Sequence, residues 1–201
     1  MEHTTLCKIK YVLWSLPVTL MLRCKGIKTS GIIYSAGLLA AFRKKHSTIL
    51  IGKNCRFMNW SMGNLIGLNH RCVISTGCQG AQLKIGNNCS FSGTSIWCFD
   101  SITLGDNIRV GANVTIMDGD AHQNDPRAGK NKPIFIEDNV WIGGAVAVMK
   151  GVTIGKNSLI GYGSVVTKDI PANVVAAGNP CKVIRALSDD VIAELESGFY
   201  K

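Results

Sequence analysis

The sequence predicts an all-β solenoid: short parallel strands wound into a triangular prism, with a helical N-terminal segment and a short C-terminal helix. Three observations carry this. Aliphatic residues recur every six positions, at Ile136, Ile142, Val148, Ile154, Ile160 and Val166. A phrase of aliphatic residue, Gly, any residue, Asn and a small or aliphatic residue keeps returning, twice at spacings of 18 or 19. A polar insertion between Leu104 and Ile136 then breaks the spacing. Period six suits neither a helix nor an isolated amphipathic strand. Three six-residue steps per coil describe a prism with one short strand on each face.

The N-terminal quarter comes first. The chain has 201 residues and a formal net charge of +9. Residues 1–56 hold ten Lys and Arg against Glu2 alone, whereas the chain from Phe57 onward holds twelve of each sign. The excess is therefore local. This quarter carries no recognisable nucleic-acid motif and few aromatics (Tyr11, Trp14, Tyr34, Phe42), so no nucleic-acid partner is expected. Its apolar run over 11–22 contains Pro17 and is short of the roughly 20 residues that span a bilayer. A second apolar run over 31–42 leads into Arg43-Lys44-Lys45. Both are read as short helices within a basic segment, 1–48. They either cap the core of the main domain or lie on an anionic membrane.

The repeat occupies 49–185. Its phrases are Ile51-Gly52-Lys53-Asn54-Cys55, Ile85-Gly86-Asn87-Asn88-Cys89, Leu104-Gly105-Asp106-Asn107-Ile108, Ile136-Glu137-Asp138-Asn139-Val140 and Ile154-Gly155-Lys156-Asn157-Ser158. The aliphatic residue points inward and stacks on its equivalent one coil away, while Gly and Asn serve the corners, which need positive φ. Cys55 and Cys89 fall in small inward slots and are packing residues. The eight cysteines form no CxxC pair and follow no secretory leader pattern, so reduced thiols in a cytoplasmic protein are expected.

The break lies between Leu104 and Ile136, 32 residues where one coil needs 18. The excess falls in 117–133, a loop of turn residues with His122 at its centre. A neutral imidazole can take a proton from an attacking hydroxyl near neutral pH and return it to a leaving group. Asp118 or Asp120 is close enough in sequence to orient the ring, and the sequence does not choose between them. Arg127 is placed to pair with either aspartate or to meet substrate. His3 and His46 lie in the basic quarter, and His70 falls at a corner loop. Metal hydration by three converging histidines is not expected.

Residues 49–185 resemble the left-handed parallel β-helix of the hexapeptide-repeat acyltransferases. The stretch from Trp141-Ile142-Gly143-Gly144 through Val165-Val166-Thr167-Lys168-Asp169-Ile170-Pro171 to Ala177-Gly178-Asn179-Pro180-Cys181-Lys182-Val183-Ile184-Arg185 carries most of the likeness. It is similar to the galactoside, maltose and xenobiotic acetyltransferase branch and to acetyltransferases of capsular and O-antigen polysaccharides. The resemblance implies a homotrimer with active sites in the grooves between prisms, using acetyl-CoA and no metal. It implies that Trp141 lines the groove and that backbone at Gly144 and Tyr162 meets the pantetheine arm. It further implies that Thr167, Lys168, Lys182 and Arg185 approach the nucleotide phosphates. Tyr162 departs from the small residue common there, and its ring either narrows the groove or stacks on adenine. Asp118-x-Asp120-x-His122 resembles the loop of sugar O-acetyltransferases, in which the histidine is the base. The expected activity is O-acetylation of a carbohydrate hydroxyl, such as a surface-polysaccharide precursor. The alternatives are N-acetylation of a nucleotide-linked amino sugar, serine O-acetylation, or a scaffold without catalysis. Over 186–201, Ser188-Asp189-Asp190 followed by Val191, Ile192 and Leu195 reads as a capped helix packed on the last coils or on a neighbouring subunit.

Overall fold

The computed structural model describes residues 3–122 and 124–198. The described residues begin with one helix, α1 (His3–Cys24), and then wind six coils of three strands. The first coil is β1 (Lys28–Thr29), β2 (Tyr34–Ala36) and β3 (Ala40–Phe42); the second is β4 (Thr48–Ile51), β5 (Arg56–Met58) and β6 (Val73–Thr76). Next come β7 (Gln82–Ile85), β8 (Ser90–Ser92) and β9 (Ser95–Cys98), then β10 (Ser101–Leu104), β11 (Arg109–Ala112) and β12 (Thr115–Met117). The fifth coil is β13 (Ile134–Ile136), β14 (Trp141–Ile142) and β15 (Ala147–Val148); the sixth is β16 (Thr153–Ile154), β17 (Leu159–Ile160) and β18 (Val165–Val166). An antiparallel hairpin, β19 (Val174–Gly178) and β20 (Cys181–Ala186), and helix α2 (Asp189–Glu196) finish the fold. The hairpin turns through a cis Asn179–Pro180 peptide bond.

Each strand pairs in parallel with its equivalent one coil away, giving three sheets. Sheet A runs β1-β4-β7-β10-β13-β16, sheet B runs β2-β5-β8-β11-β14-β17-β19-β20, and sheet C runs β3-β6-β9-β12-β15-β18. The period-six residues fill the prism. Ile51, Ile85, Leu104, Ile136 and Ile154 stack in register, all buried. Phe57 lies flat on Phe91, ring centroids 4.9 Å apart. Each such side chain taken from water contributes roughly 1.5–3 kcal/mol.

One corner is held by an asparagine ladder. Asn54, Asn88, Asn107, Asn139, Asn157 and Asn173 all sit at φ between 56° and 63°. Each of the first five donates its amide Nδ2–H to the Oδ1 of the next, at 2.8–3.1 Å. Asparagine tolerates this left-handed conformation and bonds both neighbours, so one residue type serves turn and stack. Beside it a Cβ on Gly52 or Gly86 would collide with the carbonyl oxygen of Gly86 or Gly105 on the next coil, so the corner accepts only glycine there.

Two expectations for residues 1–48 are corrected. The first apolar run belongs to a helix of 22 residues, long and apolar enough by length and composition to cross a membrane. The second, 31–42, is not a helix. It forms β2, β3 and their corner, so the helical part of 1–48 ends at Cys24 and the coils begin at Lys28. The reason is pairing: β1–β3 cover the open backbone edge of β4–β6 and send Ile33, Ser35, Leu39 and Ala41 inward.

Helix α1 covers the edge that remains. The Ile33 N–H donates to Thr19 Oγ1 at 2.8 Å and the Ser35 N–H to Ser15 Oγ at 3.1 Å. The two hydroxyls donate in turn to helix carbonyls, Thr19 to Ser15 O and Ser15 to Tyr11 O. Val18 and Leu22 are buried between them, while Val12, Leu13, Leu16 and Leu20 face outward. At the other end, Glu196 of α2 accepts from Lys156 Nζ at 2.9 Å, tying that helix to the last coils.

Candidate active site

The insertion leaves sheet C after Met117 and rejoins sheet A at Ile134. His122 therefore sits at the prism edge between sheets C and A. It is exposed, and no described residue hydrogen-bonds its ring. The loop is built from its own turns: the Asp125 N–H donates to His122 O at 3.0 Å and the Ala128 N–H to Asp125 O at 2.8 Å. Arg127 grips Asp125 through two nitrogens, at 2.9 and 2.7 Å, and that guanidinium holds the Asp125 carboxyl below its usual range. Arg127 thus pairs within the loop and with neither Asp118 nor Asp120.

The two candidate aspartates are both engaged away from the imidazole. Asp118 is fully buried and accepts three backbone N–H groups, from Phe99 at 2.6 Å, Asp100 at 2.8 Å and Ser101 at 2.7 Å. The Cys98 thiol also points at it, at 3.7 Å; burial and the nearby carboxylate push that thiol up to about 12. Asp118 thus clamps the loop root to the preceding coil. Asp120 accepts from Lys150 Nζ at 2.5 Å and from the Gly129 N–H at 3.1 Å; the lysine pulls its carboxyl below the ordinary range. Lys150 was not legible as a site residue, because its partner lies 30 positions earlier.

The remaining candidates divide between faces. Trp141, half exposed, stands on the outer surface of sheet B, and Lys182 and Arg185 belong to β20 of the same sheet. Gly144 and Tyr162 occupy the edge between sheets B and C. There the Tyr162 ring lies over Gly144, so that a Cβ on the glycine would come within 2.8 Å of it. The tyrosine thus covers backbone expected to face the pantetheine arm. Thr167 and Lys168 follow β18 and share the C–A edge with His122. That edge lies opposite sheet B, so within one protomer His122 and Trp141 do not meet.

Two aromatics went unnoticed in the sequence. Trp97 stands one coil below Met117 on sheet C and packs on Phe99, centroids 4.6 Å apart. Phe99 in turn lies close to Gly119, supporting the base of the loop. Among the described residues no group of three or more His, Cys, Asp or Glu is placed to hold a metal ion. His70 is exposed in the loop before β6, its Nδ1 2.8 Å from Arg71 O. None of the eight cysteines forms a disulfide.

The family described as bacterial transferase hexapeptide (six repeats) matches residues 133–168, and the hexapeptide repeat of succinyl-transferase matches 82–117. Both matches fall on the coils, and the prism is a left-handed parallel β-helix like that of solved hexapeptide-repeat acetyltransferases. It is 46% identical over 116 residues to a galactoside O-acetyltransferase of Escherichia coli, covering 55% of this chain and 57% of that protein. It is 44% identical over 126 residues to one from Lactococcus lactis, covering 56% and 60%. The chain thus spans less than two thirds of the length of these curated relatives. A solved galactoside acetyltransferase in complex with coenzyme A aligns over 94% of this chain and 80% of that one, with TM-score 0.53 and 28% identity.

Proposed function

We propose that the protein is an acetyl-CoA-dependent O-acetyltransferase that moves acetyl to a carbohydrate hydroxyl, with His122 as general base. The observation that carries this is the loop itself: an exposed imidazole, held on a rigid prism by the insertion that joins sheet C to sheet A. The mechanism follows from its chemistry. His122 takes the hydroxyl proton as the oxygen attacks the thioester carbonyl. The tetrahedral intermediate then expels the thiolate of coenzyme A, which recovers the proton from the imidazolium.

The same reading takes the functional unit to be a homotrimer. Trp141 and the C–A edge lie on opposite sides of one protomer, and a neighbouring copy supplies the missing half of the groove. Acetyl-CoA lies in that groove along Trp141, Gly144 and Tyr162, with its phosphates toward Thr167, Lys168, Lys182 and Arg185. Asp118 and Asp120 serve the loop that carries the base rather than the ring. The enzyme works in the cytoplasm, and the outward row of α1 with Lys8 and Lys10 suits contact with an anionic membrane surface. A thiol-release assay with acetyl-CoA tests the chemistry. Turnover is expected with hydroxyl sugars; turnover with amino sugars or serine alone would reassign the acceptor to the rival classes.

A further inference from the structure

Sheet B carries one continuous outward column from Trp141 toward the N-terminal coil. Trp141 pairs with Arg109, Arg109 with Ser90, Ser90 with Arg56, and Arg56 with Tyr34. Neighbouring strands lie about 4.8 Å apart, so Arg109 is one rung from Trp141 and Arg56 is three, about 14 Å away. At its lower end the column opens into a groove of about 570 Å³ between α1 and the first strands of sheet B. Val12, Leu16 and Ile32 form its apolar walls, each more than half exposed. Lys8 and Arg56 stand on it, and no carboxylate lines it. Among the described residues neither cation has an acidic partner; Arg56 lies over the Tyr34 ring, 6.0 Å from its centroid. Tyr11, whose hydroxyl burial pushes up to about 12, stays neutral there.

An aromatic face, two arginines along a fixed ladder (Arg109 also donating to Asn88 O at 2.8 Å) and an apolar trough bearing Lys8 and Arg56 follow one another in line. We infer that this line is an acceptor track, and that the acceptor is a sugar joined through phosphate to an apolar chain. The sugar ring meets Trp141, the phosphate lies between Arg109 and Arg56, and the start of the chain follows Val12, Leu16 and Ile32. Guanidinium groups bind phosphate oxygens in paired, directional bonds, and an apolar wall beside them selects the amphiphile over a free anion. This inference rests on the proposed function in taking Trp141 as the aromatic wall of the site.

The probes are decyl phosphate, decanol and inorganic phosphate, titrated calorimetrically into the full chain. Decyl phosphate should bind at least tenfold more tightly than decanol, and inorganic phosphate should not displace it at equal concentration. Arg56→Gln combined with Lys8→Gln should bring decyl phosphate to the decanol level, while Leu16→Asp should weaken both. All three positions are on the surface, so an unchanged thermal midpoint verifies the fold. Equal affinity for decyl phosphate and decanol, or no effect of the double change, would overturn the track. So would inorganic phosphate binding as tightly, or adsorption to anionic vesicles that decyl phosphate fails to compete. Turnover of a free sugar without decyl phosphate binding would remove the track and leave the activity standing. Decyl phosphate binding without turnover on any hydroxyl would remove the activity, and the acceptor role with it.

Discussion

Asp118 and His122 stand four residues apart and face opposite environments. The aspartate is sealed in the prism wall with three backbone N–H donors, the histidine is open to solvent. Removing a buried charge that satisfies several donors typically costs about 3–5 kcal/mol. Asp118→Ala should therefore lower stability by an amount of that order in chemical denaturation, with Asp118→Asn intermediate because one acceptor remains. A stability unchanged from wild type would mean the clamp is not needed. The sequence made His122 visible because it lies where the period breaks. It left open which aspartate served the ring. Both are engaged elsewhere, Asp118 by hydrogen bonds to residues 17–19 positions upstream, contacts from coil to coil that local spacing does not reveal.

The loop over residues 118–133 is tied down across the C–A edge by Lys150. Lys150→Ala should speed hydrogen exchange at the Gly129 amide, which donates to the same Asp120 carboxylate. The pH dependence has a definite sign. The Asp120 carboxyl titrates below its ordinary value near 3.8 in the folded protein. Its contribution is complete above that value and is lost only as pH falls through the lower, folded one. Gly129 protection should thus hold level between about pH 5 and 8 and fall only in strong acid. At the corner between sheets A and B, Asn139→Ala breaks two ladder bonds and strains a residue at φ 59°. A loss of roughly 1–3 kcal/mol is expected, with Asn139→Gly less harmful because glycine accepts the backbone angle. Equal losses for both would locate the effect in the hydrogen bonds alone. The ladder was legible, since the Asn recurs at a fixed place in each phrase. The first coil was not. Residues 31–42 carry no such phrase, and a short apolar run alone does not separate strand from helix.

For the whole molecule, the charge of +9 turns out to be concentrated on the end where α1 closes the prism. Of those cations, Lys8 and Arg56 stand on the groove beside α1. The architecture was written in the sequence because every coil repeats it. The division of the candidate site residues between opposite sides of the prism was not, because the loop's exit edge follows from the strand order around three sheets. That division predicts exchange between subunits. His122→Ala and Trp141→Ala chains, refolded together, should turn over faster than the mean of the two alone, and the native chain of 21.6 kDa should sediment as a trimer. A monomer with full activity would rule out a shared site. The most direct measurement is thiol release from acetyl-CoA with a hydroxyl sugar acceptor, comparing wild type with His122→Ala. The proposed role predicts a fall of roughly 10²–10⁴-fold in turnover, with acetyl-CoA binding and thermal midpoint unchanged. Turnover near the wild-type rate would contradict it.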